Sequence, residues 1–274
     1  MTHILSSLKQ RYSYSLIILK QLVITDFKLR YKGSALGYVW TLLKPLAMFA
    51  VMYVVFVRFL KFGADIPHFA VALLLGTVLW NFFSEVTLNG MSAVIGKGDL
   101  MRKLAFPRYV VVLASALSAL INLTINLLVV GVFIVLNGVE ISPRALLIIP
   151  IVVELFILGL SLAFLLSAIT VKLRDIGYIW ELVLQAGFYA TPIFYPLSMV
   201  AKVSFVASQA MLLNPMAQII QDARWAVISP DTVTVWNHVD KWYVQVVPLC
   251  IVVALLIVSV AYFKRQSPTF AEEV

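Results

Sequence analysis

Residues 109–136 read YVVVLASALSALINLTINLLVVGVFIVL, a long run without a single charged side chain. The hydrocarbon core of a bilayer is about 30 Å thick and an α-helix rises about 1.5 Å per residue, so roughly 20 apolar residues cross it. Inside that core no water pairs with free backbone groups, whereas a helix satisfies its own. The run therefore predicts a transmembrane helix and places the chain among membrane proteins.

Five further apolar stretches meet or approach this length, which predicts an all-α polytopic membrane protein with six transmembrane helices. The predicted spans are residues 34–60, 69–95, 109–136, 145–171, 176–193 and 244–263. The fifth is short enough to indicate a broken or tilted helix. Pro45 and Pro192 are expected to kink or end helices, because proline removes a backbone donor that lipid cannot replace.

The composition supports the same class. Hydrophobic residues make up 62% of the chain and charged residues 12%, and the mean hydropathy is +0.98, whereas a soluble domain carries about 25% charged residues. These values exclude a water-soluble fold. The single cysteine, Cys250, lies in an apolar run, so no disulfide framework is expected. The first thirty residues lack a continuous apolar core, so we expect no signal peptide and a mature protein that starts at Met1.

The distribution of lysine and arginine predicts the orientation, because basic residues in short loops resist translocation. With both termini in the cytoplasm most basic residues fall inside, and those left outside are Arg58, Lys61, Arg144, Lys202, Arg224 and Lys241. We therefore expect a multi-pass protein of the plasma membrane with both termini cytoplasmic. The net charge of +8 follows from this topology and from anionic lipid headgroups, so no nucleic-acid partner is needed to explain it.

We treat residues 1–274 as one transmembrane domain with four parts, which are residues 1–33, 34–193, 194–243 and 244–274. In the first part apolar residues recur at three- and four-residue spacing, at Tyr12, Leu16, Leu19, Val23 and Phe27, with basic residues between them. This pattern predicts an amphipathic helix in the membrane surface. A simple basic anchor for the first span is the alternative that the sequence leaves open. The candidate interface residues are Lys20, Phe27, Lys28, Arg30 and Tyr31.

Two short segments on the predicted inner face carry mixed charge. Residues 96–108, GKGDLMRKLAFPR, predict a short helix stopped by Pro107, and residues 172–175, KLRD, predict a tight turn. Each is either a docking element for a cytoplasmic partner or an ordinary inner loop rich in basic residues. The sequence alone leaves both interpretations open.

Residues 194–243 are too many for a simple loop and too apolar for a soluble domain. Their apolar pieces are each too short to span, and Asn214 and Pro215 separate them. We predict a re-entrant hairpin of two half-membrane helices that enters from the outer face between the fifth and sixth spans. The aromatic residues here suit the outer headgroup belt and are Trp225, Trp236, Trp242 and Tyr243.

A set of motifs resembles the permease subunits of type-two ABC exporters for polysaccharides. The basic N-terminal helix runs into FKLRYKGSALGYVWTLLKPL at residues 27–46. LAFPR (104–108), VKLRDIGYIW (171–180), TPIFYP (191–196) and NPM (214–216) follow in the order found in O-antigen, capsule, teichoic-acid and galactan exporters. Many relatives have an acidic residue after FPR, whereas this chain has Tyr109, which puts a charge contact at that position in doubt.

The resemblance implies a homodimer of six-span subunits that exports a polyprenyl-diphosphate-linked glycan and docks a dimer of cytoplasmic ATPase subunits. The implied contacts with the ATPase are Asp99, Leu100, Arg102, Lys103, Arg174 and Asp175. By the same analogy the first and fifth spans line the channel. Aromatic rings suit sugar faces, and the candidate channel residues are Tyr38, Trp40, Tyr53, Phe56, Trp180, Phe188 and Tyr189.

The chain lacks the glycine loop ending in Gly-Lys-Ser/Thr that cradles ATP phosphates, so ATP and Mg²⁺ are expected on the partner subunit. We expect no catalytic site and no metal site, because His3, His68 and His238 fall at or beyond the membrane edges. An intramembrane enzyme is therefore a weak alternative. A small-molecule or drug exporter of the same superfamily is a stronger one.

Charged side chains inside a membrane normally face protein or water. Glu85 has Asn81 and Asn89 at helical spacing, which makes a polar stripe that can face the interior of a dimer. Glu181 is expected to contact the inner turn. A proton-coupled carrier is disfavoured, because these acids are not paired with intramembrane histidines or lysines.

Overall fold

A computed structural model describes residues 2–30, 37–63, 66–103 and 106–270. These residues form α-, 3₁₀- and π-helices, with no strand among them. Five helical segments within the described ranges are long and apolar enough to cross a bilayer, namely Trp40–Phe59, Phe69–Gly96, Tyr109–Leu136, Pro143–Thr170 and Val247–Thr269. The chain is therefore an all-helical, multi-pass membrane protein.

The first half of the chain consists of long helices joined by short connections. They are α1 (Thr2–Arg30), α2 (Trp40–Met52, continued by a π-helix over Tyr53–Phe59), α3 (Phe69–Gly96), α4 (Gly98–Lys103) and α5 (Tyr109–Leu136). The predicted start of the first span, at Ser34, lies outside the described residues. Helix α2 continues through Pro45, so this proline does not end it.

The second half mixes long and short helices. A 3₁₀ turn over Pro143–Leu147 leads into α6 (Ile148–Thr170), and the later helices are α7 (Ile176–Ala190), α8 (Leu197–Val203), α9 (Phe205–Leu212), α10 (Pro215–Val227), α11 (Val235–His238), α12 (Trp242–Gln245) and α13 (Val247–Gln266). The region of the predicted re-entrant hairpin contains the short helices α8 to α12. The predicted break at Asn214 is present, since its side chain accepts from the Met216 amide and Pro215 opens α10.

Helix α7 is the predicted fifth span, and it has 15 residues. That length corresponds to about 22 Å, which is less than the thickness of the hydrocarbon core. The helix ends before Pro192, as predicted, and residues 191–195 that follow it are not helical.

Helix α3 forms the centre of the bundle and packs against α5 and α6. Gly90 of α3 faces Ala163 of α6, and Gly159 of α6 faces Val86 of α3. Val86 meets Gly159 and Gly90 meets Ala163, so residue numbers increase in the same direction along both helices. Helices α3 and α6 therefore run parallel. Small residues at these positions let the two backbones approach closely, which is how membrane helices gain packing contacts without a hydrophobic driving force.

The bundle has two distinct ends. The first, which we call the α4 end, holds Gly96, α4 and the turn after α6, where Lys172 Nζ donates to Gln266 Oε1 at 2.8 Å. The second, which we call the α10 end, holds the start of α3 and the Pro143–Leu147 turn, both in contact with α10. Helix α7 begins at the α4 end beside Met91 and approaches the α10 end where Phe188 meets Trp80.

We predict that Gly90→Ala destabilises the bundle, because an added Cβ would lie 2.4 Å from the Ala163 Cβ. Overpacking of this kind costs about 1–3 kcal/mol. The melting temperature of the detergent-purified protein should fall. Gly131→Ala in α5 is the matched control, since nothing lies within 4 Å of its added Cβ and alanine favours a helix by about 1 kcal/mol. Equal melting temperatures for the two variants would contradict this account of α3–α6 packing.

Candidate functional site

One face of α7 is exposed and carries polar and aromatic side chains that lipid solvates poorly. Tyr178 is 78% exposed and Tyr189 59% exposed, and Glu181, Leu182 and Gln185 are exposed between them. Their spacing of three and four residues puts them in one row along the helix. Inside a membrane, the carboxylate of Glu181 and the carboxamide of Gln185 would require water or protein around them. We call these five residues the α7 stripe.

The opposite face of α7 packs into the bundle. Trp180 meets Phe83 edge to face at 6.4 Å, and Phe188 meets Trp80 at 5.9 Å. Trp180 and Phe188, which sequence reasoning grouped with Tyr189, therefore lie on the α3 side of the helix, and Tyr189 lies on the exposed side. Sequence reasoning missed Tyr178 and Gln185, although their spacing from Glu181 was a usable signal.

The segment after α7 joins this helix to the first span. Phe194 packs against Phe56 with ring centroids 4.6 Å apart, and it also contacts Phe188 and Tyr189. Tyr53 packs against Phe49, and the Arg58 guanidinium lies over its ring. The structure thus brings Phe56, Phe188 and Tyr189 into one aromatic cluster. The Tyr38 side chain lies outside the described part of the structure.

A polar cleft of about 480 Å³ lies between α2, which is the first span, and helices α3 and α5. Trp40 lies here rather than in the aromatic cluster, together with the predicted polar stripe of Asn81, Glu85 and Asn89. Asn122 Nδ2 of α5 donates to Glu85 Oε1 at 2.7 Å. Asn81, Glu85 and Asn89 therefore face a cavity between α2, α3 and α5.

The inner segment predicted at residues 96–108 contains the short helix α4. Met101 is buried and anchors it, whereas Asp99, Arg102 and Lys103 are exposed and Leu100 is half-buried. Arg174 and Asp175 are also exposed, in the turn that precedes α7. All of these predicted contact residues therefore lie at the α4 end.

Helix α1 packs along α5. Lys97, between α3 and α4, forms an ion pair with Asp26 of α1 at 2.7 Å, and each side chain is about one-fifth exposed. Lys20 and Lys28 are exposed, as are the apolar residues Leu16 and Ile17. Exposed apolar and basic side chains on one helix suit a membrane surface. The side chains of Phe27, Arg30 and Tyr31 lie outside the described part of the structure.

Arg224 of α10 is an arginine that is only 3% exposed. Its Nη1 donates to Pro192 O at 2.7 Å, its Nη2 to Ile193 O at 2.6 Å, and its Nε to Ala72 O at 3.1 Å. These carbonyls belong to the non-helical segment after α7 and to the first turn of α3. The guanidinium thus supplies the donors that a broken helix lacks. Sequence reasoning counted Arg224 only as an outer basic residue.

A serine–histidine pair also forms, outside the spanning helices. Ser208 Oγ of α9 lies 2.7 Å from His238 Nε2 of α11. Ser208 is fully buried, so no substrate reaches its hydroxyl, and burial lowers the pKa of His238, which keeps the ring neutral at pH 7. We interpret the pair as a packing contact between α9 and α11. Among the described residues no cluster of three His, Cys, Asp or Glu side chains is arranged for a metal.

The sequence is similar to a family of known transporters. Residues 18–228 match the family described as "ABC-2 type transporter". An O-antigen export system permease protein RfbA of Klebsiella pneumoniae is 28% identical over 97% of this chain and 99% of its own length. Another O-antigen export system permease protein RfbA, from Myxococcus xanthus, is 30% identical over 77% of this chain and 80% of its own length.

We predict that Arg224→Met loosens the segment after α7, because it leaves the Pro192 and Ile193 carbonyls without donors. Hydrogen bonds to a charged group contribute about 1.5–3 kcal/mol each. The melting temperature in detergent should fall and protease cleavage within residues 191–203 should rise. Lys202→Met is the control, since Lys202 lines a cavity together with Arg224 but is exposed. Wild-type behaviour of Arg224→Met would show that the carbonyls do not depend on Arg224.

Proposed function

The chain belongs to the ABC-2 type transporter family, and from this premise we propose that it is the permease subunit of an ATP-driven exporter of a cell-surface polysaccharide. It acts as a transport subunit, and a separate ATPase subunit hydrolyses ATP and binds Mg²⁺. The similarity to two O-antigen export permeases over most of the chain supports this class of cargo. The cargo is a glycan linked to a polyprenyl diphosphate in the plasma membrane.

The α7 stripe is the observation that carries the proposal. The stripe includes Tyr178, Glu181, Gln185 and Tyr189, whose polar groups are unsuited to lipid. In the single chain these four side chains are nevertheless exposed. Two copies that face each other across this row would enclose a water-filled path lined by rings, a carboxylate and a carboxamide. Such a lining offers aromatic faces to sugar C–H groups and polar groups to hydroxyls. The active unit is therefore a homodimer.

Six crossings of the membrane fit the ends of the bundle better than five. Helix α7 runs from the α4 end towards the α10 end, and residues 191–195 extend it until Arg224 binds Ile193 O beside the start of α3. The chain thus covers the remaining thickness in non-helical form, which buried donors make tolerable. Helices α8 to α12 form the re-entrant region at the outer face. With the α4 end inside, both termini are cytoplasmic, in keeping with the charge distribution.

The α4 end is the docking surface for the ATPase. Helix α4 exposes one acidic and two basic side chains on a buried anchor, and the turn at Arg174 and Asp175 leads directly into α7. A push on that turn would act on the helix that carries the stripe. The Asp26–Lys97 ion pair ties α4 to α1, the helix placed at the membrane surface.

We predict that Glu181→Leu with Gln185→Leu abolishes glycan export, because it makes the pore wall apolar. Surface glycan should fall to the level of a deletion strain, while the permease still co-purifies with its ATPase. Ile179→Leu with Val183→Leu, on exposed positions outside the stripe, should export normally. Tyr189→Phe should export better than Tyr189→Ala, since it keeps the ring. Full export by the Glu181/Gln185 double variant would contradict a pore along this face.

We predict that Arg102→Glu with Lys103→Glu abolishes co-purification of the ATPase, because charge reversal opposes docking of the complementary surface. The matched control is Lys264→Glu with Arg265→Glu, two exposed basic residues in the last turn of α13. The measurement is the ATPase-to-permease ratio after affinity purification. A stoichiometric complex in the first variant would remove α4 from the docking surface.

A further inference from the structure

The polar cleft between α2, α3 and α5 is unlike the rest of the membrane bundle. Its volume is about 480 Å³, within the range of small-molecule sites. Four carboxamides line it, on two helices: Asn81, Asn89, Asn122 and Asn126. Other polar and aromatic groups come from Trp40, Thr41, Lys44, Phe82, Ser84 and Glu85, and apolar side chains, among them Val78, Leu88 and Leu123, form the rest of the wall. A site of this composition is wet or filled by a polar ligand, because lipid tails offer no hydrogen bonds.

The described residues that line the cleft lie between the α4 end and the middle of the bundle. Trp40 and Lys44 lie in the first turns of α2. Counted from Gly96 at 1.5 Å per residue, Asn89 is about 10 Å and Asn81 about 22 Å into α3. Counted in the same way from Tyr109, Asn126 is about 25 Å into α5. A ligand that enters from the α4 end would therefore reach the centre of the membrane along one polar wall.

The hydrogen bonding in the cleft leaves an acceptor unused. Asn122 is 4% exposed, and its Nδ2 donates to Glu85 Oε1. Its Oδ1 is buried and accepts no hydrogen bond from the described residues. That oxygen has no accessible surface, so a ligand in the cleft would pair instead with the less buried carboxamides of Asn81, Asn89 and Asn126.

The chemistry of the lining selects a neutral ligand rich in hydroxyl groups. Each carboxamide both donates and accepts, as a hydroxyl does, and the Trp40 ring offers an apolar face to C–H groups. Among the described lining residues, Lys44 is the one cation and Glu85 the one carboxylate. A diphosphate favours a net positive site, which these described residues do not form.

A second copy of the chain fits the cleft less well than a sugar. Membrane helices associate through small residues that bring their backbones together. This cleft is instead concave, and an apolar helix pressed against it would offer no hydrogen bonds to the carboxamides of Asn81 and Asn89.

We propose that the cleft is a binding site for one or two sugar units of the exported glycan, occupied from the cytoplasmic side, at a location separate from the α7 stripe. The inference rests on the proposed export function. During export, the cleft would hold part of the glycan on α2, α3 and α5, away from the pore wall. The carboxamides then select for sugar hydroxyls rather than for the lipid carrier.

The test uses the permease–ATPase complex in vesicles, with Cys250→Ser as the parent and a single cysteine at Asn89→Cys or Asn126→Cys. Both positions are partly exposed, so the variants should fold. Thr124→Cys is the control, because Thr124 is exposed on another face of α5 and does not line the cleft. A membrane-impermeant maleimide is applied from the side of the ATPase. The two probes are the cell's own glycan freed from its lipid by mild acid, and a polyprenyl diphosphate without sugar.

The proposal expects Asn89→Cys and Asn126→Cys to react and Thr124→Cys not to react. The freed glycan should slow the reaction of the first two about tenfold when about 90% of the sites are filled, and the sugar-free polyprenyl diphosphate should not. Absence of reaction at both cleft positions would overturn the proposal. Protection by the sugar-free carrier alone would also overturn it, as would labelling that appears only after detergent separates the two copies.

ATP-driven export of the lipid-linked glycan is measured in the same vesicles with the Cys250→Ser parent. Export by the parent without protection of the cleft cysteines would remove the cleft site and leave the export function intact. A parent complex that hydrolyses ATP but moves no glycan would overturn the export function, and the cleft site with it.

Discussion

The arrangement of this membrane protein depends on how Arg224 satisfies the backbone after α7. In the proposed crossing at α7, a helix of 15 residues is too short to span the bilayer, so the chain leaves helical form within the thickness of the membrane. The carbonyls of Pro192 and Ile193 would then be unpaired in an apolar setting, and the guanidinium pairs both while it also holds Ala72 of α3. One buried side chain thus fixes the end of α7 against the centre of the bundle.

The position of α7 accounts for the functional surfaces. Its inner face packs on α3 through Trp180 and Phe188, which turns Glu181 and Gln185 outward. Its start follows the exposed turn at the α4 end, so a force from an ATPase there would reach the stripe through one rigid helix. The cleft on α2, α3 and α5 has no α7 residue among its described lining. We infer a sequence in which the glycan is bound on the cytoplasmic side before it passes along α7.

Much of the fold could be predicted from the sequence, because long uncharged runs permit little besides a helix in lipid. The ends of α3 and α5 were predicted to within a residue, and the break at Asn214 and Pro215 was read from local turn chemistry. The site was harder to predict. Sequence reasoning grouped Trp180, Phe188 and Tyr189 by residue type, whereas the packing of α7 on α3 decides which of them is exposed. Arg224 was predicted only as a basic residue of a loop. Its neighbours in the sequence do not indicate that it donates hydrogen bonds to three carbonyls far away in the chain.

The most direct test of the central claim, that the exposed face of α7 lines the glycan path, is photo-crosslinking in cells that are actively exporting. A p-benzoylphenylalanine is placed at Gln185, and for comparison at Ile257, which is exposed on the apolar face of α13. The account predicts a ladder of permease–glycan adducts from Gln185 that disappears when the ATPase is inactivated, and none from Ile257. Adducts to lipid alone at Gln185 would contradict it, because the face would then be a lipid-facing surface.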